Sequence, residues 1–489
     1  MLPQVADARH GVGHHTNESC REAISPIAEC FPGICSRKGG ESMNRSKQPA
    51  NEAVGWGWLL AILALALSLR CLAAIYWHQL AGEQLFRFGD SVSYWTLAES
   101  IADGEPYQYG SENARVFRTP LYPILLAPFT TIANPSHAVL AARFLGCLLG
   151  TTAVALIYRA ARRWCSPLAA RSAAILAACY PGAIGMSVFI LSEAAFCPLM
   201  IACLDQLCRA IHRHRWDSWV WAGLLTGLAT LARPSWILWP IAVALAIVLL
   251  TVCRPLRRIA ALPSLASGLA IMALAMAVTL APWWYRNYSV SGRFVLTTLQ
   301  VGASLYDGLH ATATGGSDEN MNFVDQFAQR QREEDLQSAS KPAGSFEYRL
   351  DRRMRDESFR WAWANRGDFL RLALLKLQRT WSPLPQAPQL GNGFVRWSEA
   401  VAYLGIVGLA AVGLILPLVR EYRLWIYALP IAYFAAIHAV FVGSVRYRQP
   451  AVLAACVLAG IALGFLIESI FIRKQAIAKE DLKNPKSHR

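Results

Sequence analysis

The chain has 489 residues, 55% of them hydrophobic and only 16% charged, with a mean hydropathy of +0.31. Soluble domains carry roughly 25% charged residues, so this composition excludes a soluble domain and points to a polytopic membrane protein. The net charge of +15 does not argue for a nucleic-acid partner, because the cations cluster in short loops between apolar runs, where a positive-inside bias puts them.

Residues 1–52 are polar and lack an apolar h-region, so they read as a disordered leader or an over-extended start, with Met43 the more natural beginning. Apolar runs then occur near 54–77, 136–158, 167–186, 188–208, 217–232, 234–252, 263–285, 397–419, 423–442 and 449–472. Arg45 and Lys47 before the first run place the N-terminus in the cytoplasm. With ten spans, Arg159/Arg162/Arg163, Arg209/Arg213/Arg215, Arg254/Arg257/Arg258, Arg420/Arg423 and Arg473/Lys474 then share the cytoplasmic face. The short run 121–132, interrupted by Pro123 and Pro128, is expected to lie at the interface instead of crossing. Most of the twelve cysteines sit in or beside apolar runs without zinc-ligand spacing, so no disulfide framework or zinc site is expected.

The expected organisation is a leader (1–52), an N-terminal transmembrane module (53–286) that includes outer loop 78–120, an outer loop domain (287–396), C-terminal transmembrane helices (397–472) and a basic tail (473–489). Within 287–396, Phe346 to Trp381 has helical patterning broken at Asn365–Asp368, giving two helices, the second on the membrane surface.

Ionisable groups in or beside spans are costly and ask for a function. Once the cytoplasmic clusters are set aside, Asp90, Arg118, Glu193, Arg233, Arg286, Arg446 and Arg448 remain, all on the outer face of this topology. A surplus of arginine over carboxylate there suits a phosphate. Each residue has a plainer reading. Asp90 can be the N-cap of a helix over Ser91–Ala102 that stops at Asp103-Gly104. Arg233 and Arg286 can be snorkelling anchors, and Trp283 and Trp284 an aromatic belt. Convergence on one face is what argues for a site.

The motifs Gly89-Asp90-Ser-x-x-Tyr94-x-x-Leu-Ala98, Gly104-x-x-Tyr107 and Arg118-x-Pro120-Leu-Tyr-Pro123 resemble the first outer loop of GT-C glycosyltransferases. Ser192-Glu193, Ala232-Arg233-Pro234, Pro282-Trp283-x-x-Arg286-Asn287 and Arg446-Tyr447-Arg-x-Pro450 extend the resemblance over residues 54–470. The nearest group holds protein O-mannosyltransferases, aminoarabinose transferases and bacterial lipopolysaccharide-type sugar transferases. The resemblance implies an all-α bundle of about ten transmembrane helices with outer juxtamembrane helices and a mostly helical outer loop domain. It implies a polyprenyl-phosphate sugar donor in the bilayer and a glycan, lipid or protein acceptor on the periplasmic side of a bacterial inner membrane. Asp90 matches the family's catalytic carboxylate and Arg118 its phosphate-side cation. Tyr94, Glu193, Arg233, Trp283, Arg286, Arg446 and Tyr447 are the remaining candidates for donor-phosphate or substrate binding. Ser91 replaces the second acid that many relatives carry, and Phe117 replaces the acid of aminoarabinose transferases, which weighs against a bound metal.

The chemistry agrees with that reading. A lipid phosphate leaves without a general acid, so one base and several cations suffice, and direct displacement inverts the anomeric centre. A transporter or flippase of a lipid-linked sugar is the alternative, but transporters keep polar sites near the midplane, often in repeated halves, and no repeat is visible. A non-catalytic assembly protein docking through 287–396 would leave Asp90, Arg118 and Glu193 unexplained.

Overall fold

A computed structural model describes residues 48–111, 113–213, 215–253, 262–318, 321–338, 343–385, 393–417, 419 and 423–483. Most of the expected leader and the Arg254–Arg258 cluster lie outside the described residues. The chain divides into two units, Met1–Val54 and Gly55–Arg489, and the helical bundle belongs to the second. Every regular element among the described residues is helical.

In chain order the helices are α1 (Gln48–Ala81), α2 (Gly89–Ala102), α3 (Leu121–Thr130), α4 (Pro135–Trp164), α5 (Pro167–Cys179), α6 (Pro181–Val188), α7 (Glu193–Arg213) and α8 (Trp216–Ala232). They continue as α9 (Trp239–Cys253), α10 (Leu262–Ser291), α11 (Val301–Gly308), α12 (Asn322–Gln337), α13 (Phe346–Ala364), α14 (Arg366–Trp381), α15 (Gly393–Ile415), α16 (Leu429–Val440) and α17 (Val445–Lys483). Each apolar run of the sequence falls on one or more of them. The protein is an integral membrane protein, and among the described residues six helices are long and apolar enough to cross a bilayer, in α1, α4, α7, α10, α15 and α17. The pair α5–α6, bent by 54°, makes a seventh if counted as one span. The expected count of ten is therefore not reached by length and composition, because the runs 217–232, 234–252 and 423–442 form shorter helices. Run 121–132 is the ten-residue α3, too short to cross.

Small residues set the closest packing. Gly460 and Gly464 of α17 lie one turn apart, and a Cβ at either would stand 2.4–2.8 Å from atoms of Ala173 and Ala169 on α5. This small-x-x-x-small seam lets two backbones meet in a medium that offers no hydrophobic drive between helices. The α5–α6 break is held by Arg70, fully buried on α1, whose guanidinium donates to the carbonyls of Ala177 (3.3 Å) and Ala178 (3.2 Å) at the end of α5. Pro181 opens the next helix, so those carbonyls lose their helical partners and need such a donor.

α7 separates two polar ends. Glu193 begins it, while Asp205, about 18 Å further along at 1.5 Å per residue, accepts from Arg163 at 3.0 Å and pairs with Arg159 at 3.5 Å. His212, near the last turn, contacts Arg423 at 3.2 Å. Arg159, Arg163 and Arg423, which the sequence assigns to the cytoplasmic face, thus lie toward the opposite end of the helix from Glu193.

The α5–α17 seam gives a direct test. Gly460→Ala and Gly464→Ala should each lower the thermal unfolding midpoint of the detergent-purified protein, through an overpacking cost of about 1–3 kcal/mol. Gly408→Ala, where an added Cβ meets no atom within 4 Å, should leave it unchanged or raise it.

Candidate active site

Two carboxylates and three guanidiniums from five separate elements meet at the wall of one cavity. Asp90 lies in the first turn of α2, and Phe88, not Asp90, is that helix's N-cap, so the capping reading of Asp90 does not hold. The far end of α2 does stop at Asp103, with Gly104 at φ +71 as the sequence indicated. Ser91 Oγ donates to the Phe189 carbonyl at 2.8 Å and pins the start of α2 to the α6–α7 connection. That connection contains Ile190 at φ +54, a conformation that costs a β-branched residue about 1–3 kcal/mol. The strained turn delivers Ser192 and Glu193 to the site.

Asp90 Oδ1 accepts from Arg118 Nη2 at 2.5 Å, and Oδ2 accepts from Arg446 Nη1 at 2.5 Å. Arg446 also donates from Nε (2.5 Å) and Nη2 (3.1 Å) to the two oxygens of Glu193. Arg233 Nη1 pairs with Glu193 at 2.6 Å. Arg118 is further fixed by Ser93 Oγ (3.1 Å) and Gln300 Oε1 (2.7 Å), and its guanidinium stands 5.2 Å from the Tyr94 ring. Three guanidiniums against two carboxylates leave one positive charge. Burial by itself would push the Asp90 carboxyl up, but the Arg118 and Arg446 guanidiniums outweigh it and hold the group well below the usual carboxylate range.

Helix ends support this set unequally. Asp90 and Glu193 sit in the first turns of α2 and α7, and Arg233 caps the C-terminus of α8, all favourable to the macrodipole. Arg446 sits in the first turn of α17, where a cation is disfavoured, and its two carboxylate partners compensate.

The cavity measures about 550 Å³. Asp90, Tyr94, Arg118, Arg233, Arg446 and Tyr447 contribute to its polar lining, with Ile237, Leu238, Phe294, Ile437 and Phe441 as apolar lining. Gln300, Ser304, Tyr348, Asp351 and Arg355 bring α11 and α13 to the same space. Glu193 does not line it: fully buried, it stands behind Arg233 and Arg446. Tyr447 is stacked on His438 (4.1 Å, 5°) and faces the Arg233 guanidinium at 5.3 Å.

Trp283 and Arg286, expected in substrate binding, are not among the residues that line the cavity. Arg286 donates to the carbonyls of Arg115 (2.6 Å) and Tyr107 (2.9 Å), and Trp283 Nε1 donates to the Thr297 carbonyl at 2.7 Å. They secure the two loops that carry Arg118 and Gln300. Sequence reasoning missed Ser93, Gln300, Tyr348, Asp351, Arg355 and His438. Only His438, a histidine inside an apolar run, carried a signal. Among the described residues no group of three His, Cys, Asp or Glu side chains is placed to hold a metal. With both Asp90 oxygens on guanidiniums and a serine, Ser91, beside it, the donor set does not fit a cation.

The overall fold is shared with two structures of the Archaeoglobus fulgidus oligosaccharyltransferase. One is AglB in complex with an inhibitory peptide and a dolichol-phosphate (TM-score 0.53, 15% identity, 90% of this chain and 52% of that one). The other is the apo form (0.52, 17%, 88% and 52%). The fold is that of the GT-C glycosyltransferases. Residues 118–283 match the family model described as dolichyl-phosphate-mannose-protein mannosyltransferase. ArnT from Cupriavidus metallidurans bound to undecaprenyl phosphate overlaps less well (TM-score 0.37, 16% identity, 85% and 78%). The chain spans about half the length of the archaeal enzymes, and no curated relative is matched.

Glu347 on α13 accepts the backbone N–H groups of Arg115 (2.9 Å) and Val116 (3.1 Å), tying α13 to the loop before Arg118. Burial pushes its carboxyl up from 4.5 to about 7 despite those two donors. Folded protein then keeps a proton that the unfolded chain has lost, so stability falls as pH rises across that window, by on the order of 3 kcal/mol. Thermal melts should show the midpoint rising from pH 7 to pH 5 more in the wild type than in Glu347→Gln.

Proposed function

We propose that the protein is an inverting glycosyltransferase that moves a sugar from a polyprenyl-phosphate donor to an acceptor hydroxyl, with Asp90 as base. The observation that carries this reading is the cluster in which Asp90 meets the cavity among Arg118, Arg233 and Arg446, beside apolar lining, at one end of a GT-C bundle. That end is the outer face in the topology read from the cations, and in this reading it is the periplasmic face of a bacterial inner membrane.

The donor phosphate binds at Arg446, Arg233 and Arg118, where the N-terminus of α17 adds the positive end of its dipole. The isoprenoid lies along Ile237, Leu238, Ile437 and Phe441. The acceptor enters from the α11–α13 side, past Gln300, Tyr348 and Arg355. Its hydroxyl oxygen attacks the anomeric carbon as the bond from that carbon to the phosphate oxygen breaks, and the bonding pair leaves on the phosphate. The hydroxyl proton passes to Asp90 and on to solvent. Guanidiniums fixed before the reaction stabilise the charge that develops on the departing phosphate, the larger share of the barrier reduction. The acceptor is a glycan, a lipid or a protein.

The decisive variant is Asp90→Asn. It should keep its fold and its binding of polyprenyl phosphate and lose transfer by about 10²–10⁴-fold, the usual worth of a general base. Near-normal turnover of a polyprenyl-phosphate sugar by this variant would remove Asp90 from that role.

A further inference from the structure

A base must offer a lone pair of adequate basicity, and here both Asp90 oxygens are engaged by guanidiniums at 2.5 Å. The two arginines are not held alike. Arg118 is fixed by three partners, Ser93, Gln300 and Asp90, one on each nitrogen. Arg446 is divided: Nε and Nη2 form a fork on Glu193, and only Nη1 reaches Asp90. Releasing Asp90 leaves that fork in place, so Arg446 can change partners at one nitrogen without leaving its seat.

The charge count points the same way. The five side chains sum to plus one, and a sugar phosphodiester carries minus one. A bound donor therefore neutralises the cluster and removes the excess positive charge that makes Asp90 a weak base. Asp90, Arg446 and Arg233 all line the cavity, so an anion entering it meets both partners of the Asp90–Arg446 contact.

We propose that the Asp90–Arg446 contact is a latch. The phosphate of the lipid donor draws Arg446 Nη1 from Asp90, the base becomes available only once the donor is bound, and Glu193 is the positioning residue that holds Arg446 through the exchange. This rests on the reading of Asp90 as base and of the arginines as the phosphate site. The reaction is then ordered, with donor before acceptor, and the resting enzyme is protected from activating water or acceptor on its own.

The test labels carboxyl groups of the full-length protein in detergent with a water-soluble carbodiimide and an amine, with and without saturating undecaprenyl phosphate, and reads Asp90 by peptide mass spectrometry. Labelling of Asp90 should rise at least several-fold with the lipid phosphate, while Glu193, behind its arginines, stays unlabelled. In Arg446→Gln, Asp90 should be labelled strongly without lipid and no further with it. Glu193→Gln should bring the ratio of labelling with and without lipid close to one even where a thermal shift shows the lipid bound, and Glu193→Asp should restore part of the difference. If the wild type binds the lipid phosphate by thermal shift and Asp90 labelling is unchanged or falls, the latch is wrong and the donor site stands. If the lipid phosphate does not bind, the donor reading fails and the latch with it.

Discussion

Arg446 joins the two carboxylates of the site, and the rest of the cluster is organised by that bridge. Its fork on Glu193 ties the start of α17 to the start of α7, and its third contact reaches α2 through Asp90. Arg233 closes the set from the end of α8. An arginine in the first turn of a helix opposes the macrodipole, and a carboxylate as deeply buried as Glu193 is untenable alone. Each corrects the other's defect. The result is a positive wall that carries one more guanidinium than carboxylate, its members held in place by shared partners.

Much of the surrounding structure serves to bring these helix ends together. The Gly460–Gly464 seam seats α17 against α5, and Arg70 steadies the break that ends α5. The break leads through α6 to the strained turn at Ile190, and Ser91 holds that turn from α2. On the other side, Lys376 of α14 donates to the Val440 carbonyl at 2.8 Å, and Gly443 N–H donates to the Gly315 carbonyl at 2.8 Å. Those bonds secure the short linker from α16 to Arg446. The strain at Ile190 and the burial of Lys376 are costs that hold helix ends in position.

Trp283 and Arg286 illustrate how a sequence motif can matter without touching a substrate. The motif stands near the end of α10, and its side chains are consumed by carbonyls of the 107–116 and 294–299 loops. Those loops lead into Arg118 and Gln300, which are in the cavity wall. The motif is one step removed from the site, a distinction that a linear pattern does not carry.

The sequence by itself determined the membrane class, the helical runs and the break at Asn365 between α13 and α14, because apolar run length and helix signals are local properties. It also singled out Asp90, Arg118, Glu193, Arg233 and Arg446, since an ionisable group beside a span is conspicuous whatever the fold. Local pattern could not decide how many runs are long enough to cross, because helix ends are set by packing and caps. Nor could it decide which polar residues touch one another. Asp90 and Arg446 are 356 positions apart, and only the packing of α17 against α5, α7, α15 and α16 puts them at 2.5 Å. Gln300, Tyr348 and Arg355 were invisible for the same reason. They are ordinary polar residues in a polar region, and the tertiary structure alone turns them toward the cavity.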